Sequence, residues 1–487
     1  MMYCAFRVWQ APCMEHLPCR QFTGGLCVSV STYGQFATTG GRMDISVIGL
    51  GKLGAPLAAV VASKGFRVVG TDASPAVVAS INAGLSPVDE PGLQSLLDIS
   101  QGRLVATNDT PAAVAQTDVT FIVVPTPSDS SGRFSNERVI EAMEAVGQGL
   151  RRKNSYHLVV LTSTVMPGST GGALLEVLER ASCRTVGQSV GLCYSPEFIA
   201  LGSVVRDMLR PELLLIGESD TRAGELLQGI YARICDSQPV VRRMNFVNAE
   251  LAKIAVNTFV TTKISYANML GDVCGRIEGA DVDVVTEAIG SDSRIGGKYL
   301  RGAIGYGGPC FPRDNVAFAA FARKLGARAD LAEATDAINH YQVDRVLEAV
   351  VSRQGAPSVI GVLGLSYKPD TPVVEQSQGL LLVERLVSRG YDVVAYDPKA
   401  MATARDCTRV QFEAMPSAES CVQAASLVVI MTPWPQFADI AVTAFSRTGK
   451  RLTVIDCWRI ATGPVEAVAD LVYLGRGAVG TTTPLTV

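Results

Sequence analysis

After residue 42 the chain alternates short apolar runs with amphipathic stretches. Met43–Ile48 is a continuous apolar-rich run closed by a glycine turn, the pattern of a buried parallel strand. A small-residue helix over 55–64 and a strand over 67–72 follow. Further buried strands are expected at 119–124, 157–161, 190–194 and 213–217. From about Asn248 the period becomes helical: residues 249–277 contain no proline and keep helical apolar spacing, and 331–352 form a second long helix. Gly355-Ala356-Pro357-Ser358 breaks the pattern. A second alternating series then begins, with strands at 359–363, 392–396, 427–431 and 452–455 and a helix over 376–389. The expected fold is α/β: two Rossmann-like doubly wound domains, 43–240 and 355–474, joined by a central helical domain, 241–354. Residues 475–487, rich in Gly and Thr, are expected to be a flexible tail.

Composition narrows the function classes. Hydrophobic residues make up 48% and charged residues 18%, as in a globular protein with a large core. A net charge of −3 provides no global field toward nucleic acid or an anionic membrane, and no apolar run is long enough to span a bilayer. The twelve cysteines include no C-x-x-C pair, and there are only three histidines, which argues against a structural metal site. Several cysteines sit in apolar runs, as expected of free thiols in a reducing cytoplasm. Residues 1–42 contain a single acid, Glu15, and no periodicity. They read as a disordered extension, or as an upstream start with Met43 the functional beginning.

The most specific local signal is Gly49-Leu50-Gly51-Lys52-Leu53-Gly54. It follows a strand, opens a helix and precedes a second strand ending in Asp72, 18 residues after the third glycine. Gly49 permits the tight turn, Gly51 lets the backbone approach a pyrophosphate, and Gly54 lets helix and strand pack closely. The helix N-terminus faces the phosphates, while Asp72 suits ribose hydroxyls and repels a 2′-phosphate, so NAD is the expected cofactor. Thr126, Thr164 and Glu197 are expected beyond the carboxyl ends of strands, where ligands of open α/β sheets bind. Lys253 and Asn257 lie at i and i+4 on one face of the first long helix.

The second signal is Gly305-Tyr306-Gly307-Gly308-Pro309-Cys310-Phe311-Pro312-Arg313-Asp314. A cysteine in an exposed glycine-dense turn near cationic groups is a candidate nucleophile, since such surroundings favour the thiolate.

With these motifs stand Glu90-Pro91-Gly92-Leu93, Val124-Pro125-Thr126-Pro127, Ser163–Gly168, Ser195-Pro196-Glu197-Phe198, Arg294-Ile295-Gly296 and Gly364-Leu365-Ser366-Tyr367-Lys368-Pro369. In this order they resemble the UDP-glucose/GDP-mannose dehydrogenase family over about residues 43–470. The resemblance implies a two-step, four-electron oxidation of a nucleotide sugar's C6 alcohol to a carboxylate, reducing two NAD+. It implies Cys310 as the nucleophile and Lys253 with Asn257 as the oxyanion site. Asp314 and Thr164 are implied to hold the hydrolytic water, and Glu197 to act as general base. Lys52, Leu53, Thr126 and Thr164 are implied around the cofactor. Phe198, Arg294, Tyr306, Gly307 and Lys368 are implied around the nucleotide sugar, with Arg294 reaching across the interface of a homodimer or higher homo-oligomer built on the central helices. Glu90 is expected to order a loop.

Three departures stand out. Leu201 occupies the place of a second acid. Val373 and Glu375 replace an expected Asp-x-Arg. Trp458 takes the place of a late arginine, with Arg459 beside it. The substrate favoured by the motifs is UDP-glucose; GDP-mannose and UDP-N-acetylhexosamines are alternatives. A two-electron hydroxyacid-type dehydrogenase and a non-catalytic sugar-nucleotide binder are the competing classes.

Overall fold

The computed structural model describes residues 43–461 and 463–477. The expectations for 1–42 and 478–487 lie outside the described residues.

The first sheet contains β1 (Asp44–Ile48), β2 (Arg67–Thr71), β3 (Leu104–Thr107), β4 (Val119–Ile122), β5 (His157–Leu161), β6 (Val190–Tyr194), β7 (Leu213–Glu218) and β8 (Val240–Met244). Their order is β3-β2-β1-β4-β5-β6-β7-β8. Pairing is parallel except between β6 and β7. Ile48 is in register with both Thr71 and Ile122, so β1, β2 and β4 end together at the point where strand order reverses. That crevice is where open α/β sheets bind ligands. Helix α1 (Gly54–Ser63) covers one face of the sheet, and its Ala55, Ala58, Ala59 and Ala62 are fully buried. Small side chains bring its axis close to the strands, as Gly54 begins to do at its first turn.

The second sheet holds β9 (Val359–Leu363), β10 (Asp392–Tyr396), β11 (Glu413–Ala414), β12 (Leu427–Ile430), β13 (Leu452–Asp456) and β14 (Ala469–Tyr473). Its order, β11-β10-β9-β12-β13-β14, repeats the reversal of the first. Strands such as Leu427-Val428-Val429-Ile430 are buried throughout, as expected where helices cover both faces.

Between the sheets run α2 (Phe246–Gly275), α3 (Phe311–Lys324) and α4 (Asp330–Val351). Helix α2 has 30 residues and so spans about 45 Å. Asn245 caps it, its side chain accepting from the Asn248 N–H at 3.0 Å. The second unit's first helix, α5 (Gln378–Ser388), follows a long loop after β9.

Two boundaries differ from expectation. β8 joins the first sheet, so that domain extends to Asn245 instead of ending at 240. Its Val-Val-Arg-Arg-Met edge strand is only partly covered and lacks a buried strand's apolar signature. The start of the expected tail is packed: the Val282 N–H donates to the Gly475 carbonyl at 2.9 Å, and Asp281 bridges to Arg476. Glycine there reflects close approach, since a Cβ on Gly475 would come within 2.6 Å of Val282.

Candidate active site

The glycine turn after β1 has the geometry its spacing predicts. Gly49 has φ +87°, and a Cβ there would lie 2.3 Å from the Val123 carbonyl oxygen. A Cβ on Gly54 would sit 1.7 Å from the Gly49 carbonyl oxygen. Around Gly51 nothing approaches within 4 Å, leaving open the side from which a pyrophosphate would reach the backbone. Lys52 is exposed and Leu53 half-buried against the core. Asp72 is half-buried at the end of β2, and its carboxylate accepts from the Leu50 and Ser74 N–H groups, each at 2.8 Å. Those bonds aim it across the turn. The residues therefore fit a dinucleotide: turn and helix start for the phosphates, Asp72 for the ribose.

The carboxyl ends of β4 and β5 are tied together and to α3. Thr126 Oγ1 donates to the Thr164 carbonyl at 2.7 Å, and Arg313 donates to the Thr126 carbonyl at 3.3 Å. Thr126 is buried, with Thr164 half-buried beside it.

Cys310 is the N-cap residue of α3, and its side chain makes no capping hydrogen bond. It is open to solvent. Nevertheless, the surrounding walls exclude enough water to raise the thiol's pKa; Asp314 adds to this, while Arg313 and Lys253 oppose it. This corrects the expectation of a favoured resting thiolate: the two cations are present but do not dominate. A proton must therefore leave the sulfur as it attacks.

Helix α2 delivers the other groups. Lys253 is almost wholly buried; its ammonium donates to the Glu197 carbonyl at 2.6 Å and lies 4.5 Å from the centre of the Phe198 ring. Burial lowers its pKa, while the negative groups of Asp314, Cys310 and Glu197 resist that fall. Asn257 donates to Asp314 Oδ2 at 2.6 Å, and Arg313 binds Asp314 Oδ1 at 3.1 Å. Asp314 is 1% exposed with both oxygens engaged, which suits an anchor for Asn257 and Arg313 better than a water-binding base. Glu197 is half-buried beyond β6, and desolvation lifts its carboxyl to about 7 against the pull of Lys253.

Cys310, Lys253, Asn257, Asp314, Glu197 and Phe198 thus share one cleft. Lys368, on the second unit, lies near Asp207, Glu90 and Asp370: burial lowers its pKa, and their charges oppose the fall. Two further residues of the expected site make their contacts within this chain. Arg294 is exposed and bonded to Asp292 at 2.6 Å, away from these groups in a single chain. Tyr306 lies beneath the cysteine loop, its backbone held by Asn339 at 2.7 and 3.0 Å and its ring edge-on to Phe311. Leu201, in the place of an acid, packs against the first domain's core.

Sequence reasoning missed Glu250 and Arg313 as supports, and foresaw Glu90. Buried Glu250 on α2 accepts from the Gly168 and Thr170 N–H groups at 2.6 and 2.7 Å, fixing the loop after β5. Glu90, expected to order a loop, accepts from the Gly202 and Val204 N–H groups at 2.9 and 2.7 Å. Arg313 ties α3 to the segment after β4 while holding Asp314 on its own helix. Their type was visible, but their partners lie far away in the chain.

Residues 43–235 match the NAD binding domain of the UDP-glucose/GDP-mannose dehydrogenase family, 247–341 its central domain and 361–463 its UDP binding domain. The chain belongs to that family. Like its other members it is an NAD-dependent nucleotide-sugar dehydrogenase. A UDP-glucose 6-dehydrogenase of Haloferax volcanii is 36% identical over 427 residues, 86% of this chain and 97% of that one. A GDP-mannose 6-dehydrogenase of Pseudomonas putida is 33% identical over 359 residues, 73% of this chain and 81% of that one. The structure of a UDP-glucose dehydrogenase from Pyrobaculum islandicum superposes with a TM-score of 0.82 at 33% identity, covering 90% of this chain and 99% of that one. Among the described residues no helix is long and apolar enough to cross a membrane.

Proposed function

We propose that this dehydrogenase converts UDP-glucose to UDP-glucuronate through a covalent intermediate on Cys310. The observation that carries the reading is the juxtaposition of Cys310 with Lys253, Asn257 and the Asp314 anchor, facing the crevice of a dinucleotide turn. NAD+, when bound against Gly49–Gly54 and Asp72, supplies the hydride acceptor for both oxidations.

The C6 alcohol first loses a hydride and a proton, giving an aldehyde. An aldehyde cannot lose a second hydride until a nucleophile adds. The Cys310 sulfur bonds to C6 and its proton departs, giving a thiohemiacetal whose oxygen lies against Lys253 and Asn257. Loss of hydride and proton leaves a thioester. Water then cleaves the C–S bond, releasing the carboxylate and restoring the thiol. Glu197, with its carboxyl near 7, exchanges protons at neutral pH and serves as the base for hydrolysis. Asp314 holds Asn257 and Arg313 in place, and Thr164 lines the water's approach. Lys368 binds the nucleotide sugar.

Arg294 completes the site from the partner of a homodimer. Exposed apolar residues on α2, Leu251, Phe259, Tyr266, Met269 and Val273, support that assembly. The free thiols support a cytoplasmic setting.

UDP-glucose is preferred over GDP-mannose because relatives with that name align over more of the chain. The test is to incubate the purified chain with NAD+ and a panel of UDP- and GDP-sugars and count NADH per sugar. Two NADH and UDP-glucuronate are expected from UDP-glucose. Cys310→Ser should slow acid formation by at least about 100-fold. One NADH per sugar, or undiminished acid formation by that variant, overturns the reading.

A further inference from the structure

The loop between β9 and α5, Leu365–Ser377, reaches across the cleft to the nucleophile. It is closed on itself by the Tyr367 N–H to Val373 carbonyl bond at 3.1 Å and the Ser377 N–H to Val374 carbonyl bond at 3.0 Å. Asp370 and Gln376 both hold left-handed backbone, φ +63° and +52°. Such conformations are uncommon for non-glycine residues and persist where surrounding contacts fix them.

Those contacts face two ways. Toward the first domain, a Cβ on Gly202 would lie 2.8 Å from the Asp370 carbonyl oxygen. Toward the nucleophile, the Gly308 N–H donates to the Glu375 carbonyl at 2.8 Å. A Cβ on Gly307 would lie 2.4 Å from the Gln376 carbonyl oxygen and 3.2 Å from Tyr367 Cβ. A Cβ on Gly308, which has φ +86°, would lie 2.6 Å from Tyr367 Cε2. The Tyr367 ring therefore fills the space a side chain would take, two residues before Cys310. Burial raises the Tyr367 phenol's pKa, with the charges of Cys310 and Glu90 adding to that rise.

We propose that Tyr367 is a positioning residue for the second oxidation. Its ring is the seat on which Gly307–Gly308 rest, so the segment that carries Lys368 also sets the direction of the Cys310 sulfur. The first hydride transfer does not use the sulfur and should tolerate a displaced loop. Thiohemiacetal formation should not, because about 1 Å of misplacement can cost on the order of 100-fold. This inference rests on Cys310 being the nucleophile.

The experiment compares Tyr367→Ala, Tyr367→Phe and Gly308→Ala in the full chain. It uses UDP-glucose with hydroxylamine to trap aldehyde, together with the pH profile of Cys310 alkylation by iodoacetamide without substrate. Tyr367→Phe should keep acid formation within about twofold. Tyr367→Ala should lose about 10- to 100-fold in acid formation while aldehyde release persists. Gly308→Ala, which lifts the loop from the other side, should do the same, and both should change the alkylation profile. The proposal is overturned if Tyr367→Ala forms acid at the parental rate, if both oxidations fall together, or if the alkylation profile is unmoved in both variants. Should Cys310→Ser still form acid, the nucleophile assignment itself fails; an altered alkylation profile in Tyr367→Ala would then still report the loop's placement.

Discussion

The two doubly wound units are built with the same hardware and use it differently. Each begins with a glycine of positive φ after its first strand, Gly49 at +87° and Gly364 at +99°. In each, a glycine at the first helix lies against that carbonyl: a Cβ on Gly54 would be 1.7 Å from the Gly49 oxygen, and one on Gly379 2.2 Å from the Gly364 oxygen. In each, an acid after the second strand accepts from the residue following the glycine, Asp72 from Leu50 and Asp397 from Leu365, both at 2.8 Å. The difference lies in what comes between. The first unit closes its turn in four residues and leaves Gly51 facing open space. The second inserts Leu365–Ser377, and Asp397 is 2% exposed, engaged by the Leu365, Ser366, Lys399 and Ala400 N–H groups, the Ser366 hydroxyl and the Trp434 indole. A carboxylate so engaged has nothing left for a ribose. One unit offers its turn to a dinucleotide; the other has converted it into a reach across the cleft.

The two acids should separate most clearly. Asp397→Ala should cost about 3 kcal/mol or more in stability, because it strands several buried donors at once. Asp72→Ala should leave stability nearly unchanged and weaken NAD+ binding by about 10- to 100-fold, the worth of hydrogen bonds to a charged group. Denaturant titration and cofactor titration of both variants check this pair; similar losses of stability would erase the distinction.

The glycines come next. Gly54→Ala and Gly379→Ala should each destabilise by about 1–3 kcal/mol through overpacking against a backbone carbonyl. Gly51→Ala should not destabilise, yet should raise the KM for NAD+. Melting curves beside cofactor kinetics measure both.

The smallest effect belongs to Glu197, which has no counterpart in the second unit's turn. Its folded carboxyl sits at about 7, above its ordinary value near 4.5. Between those values the folded state binds more protons than the unfolded one, so this group's contribution to stability falls as pH rises from about 4.5 to 7. Glu197→Gln should flatten that slope in denaturation midpoints between pH 5 and 8. It should also remove a rising limb near pH 7 from the rate of acid formation. A limb that persists in the variant assigns the base elsewhere.

The first unit was legible because its signal is contiguous: strand, glycine turn, helix and acid fall within thirty residues, Met43 to Asp72. The second unit's Gly364, Gly379 and Asp397 are the same device, hidden by the inserted loop. At the active site, residue types that carry chemistry could be named from their motifs. What could not be read was which groups touch. Asn257 meets Asp314, 57 positions away, and only the packing of α3 on α2 brings them together. The upward shift of the Cys310 thiol's pKa was also invisible, because it depends first on how much water the surrounding walls exclude and only then on the cations nearby. The setting of Tyr306 was hidden for a related reason: Asn339, which holds its backbone, lies 33 positions away.

The packing of Gly475 on Val282 has a mechanical consequence. The second unit leaves the central helices at the end of α4 and returns to them at Val282, where Arg459 also binds Asp281 and Asp283 at 2.6 and 2.8 Å. Toward the first unit, by contrast, the exposed Lys399–Asp89 pair, 3.0 Å long, is a weak fastening. The second unit's firmer anchorage therefore lies on the central helices, the same body that presents Gly307, Gly308 and Cys310 to the loop of Tyr367 and Lys368.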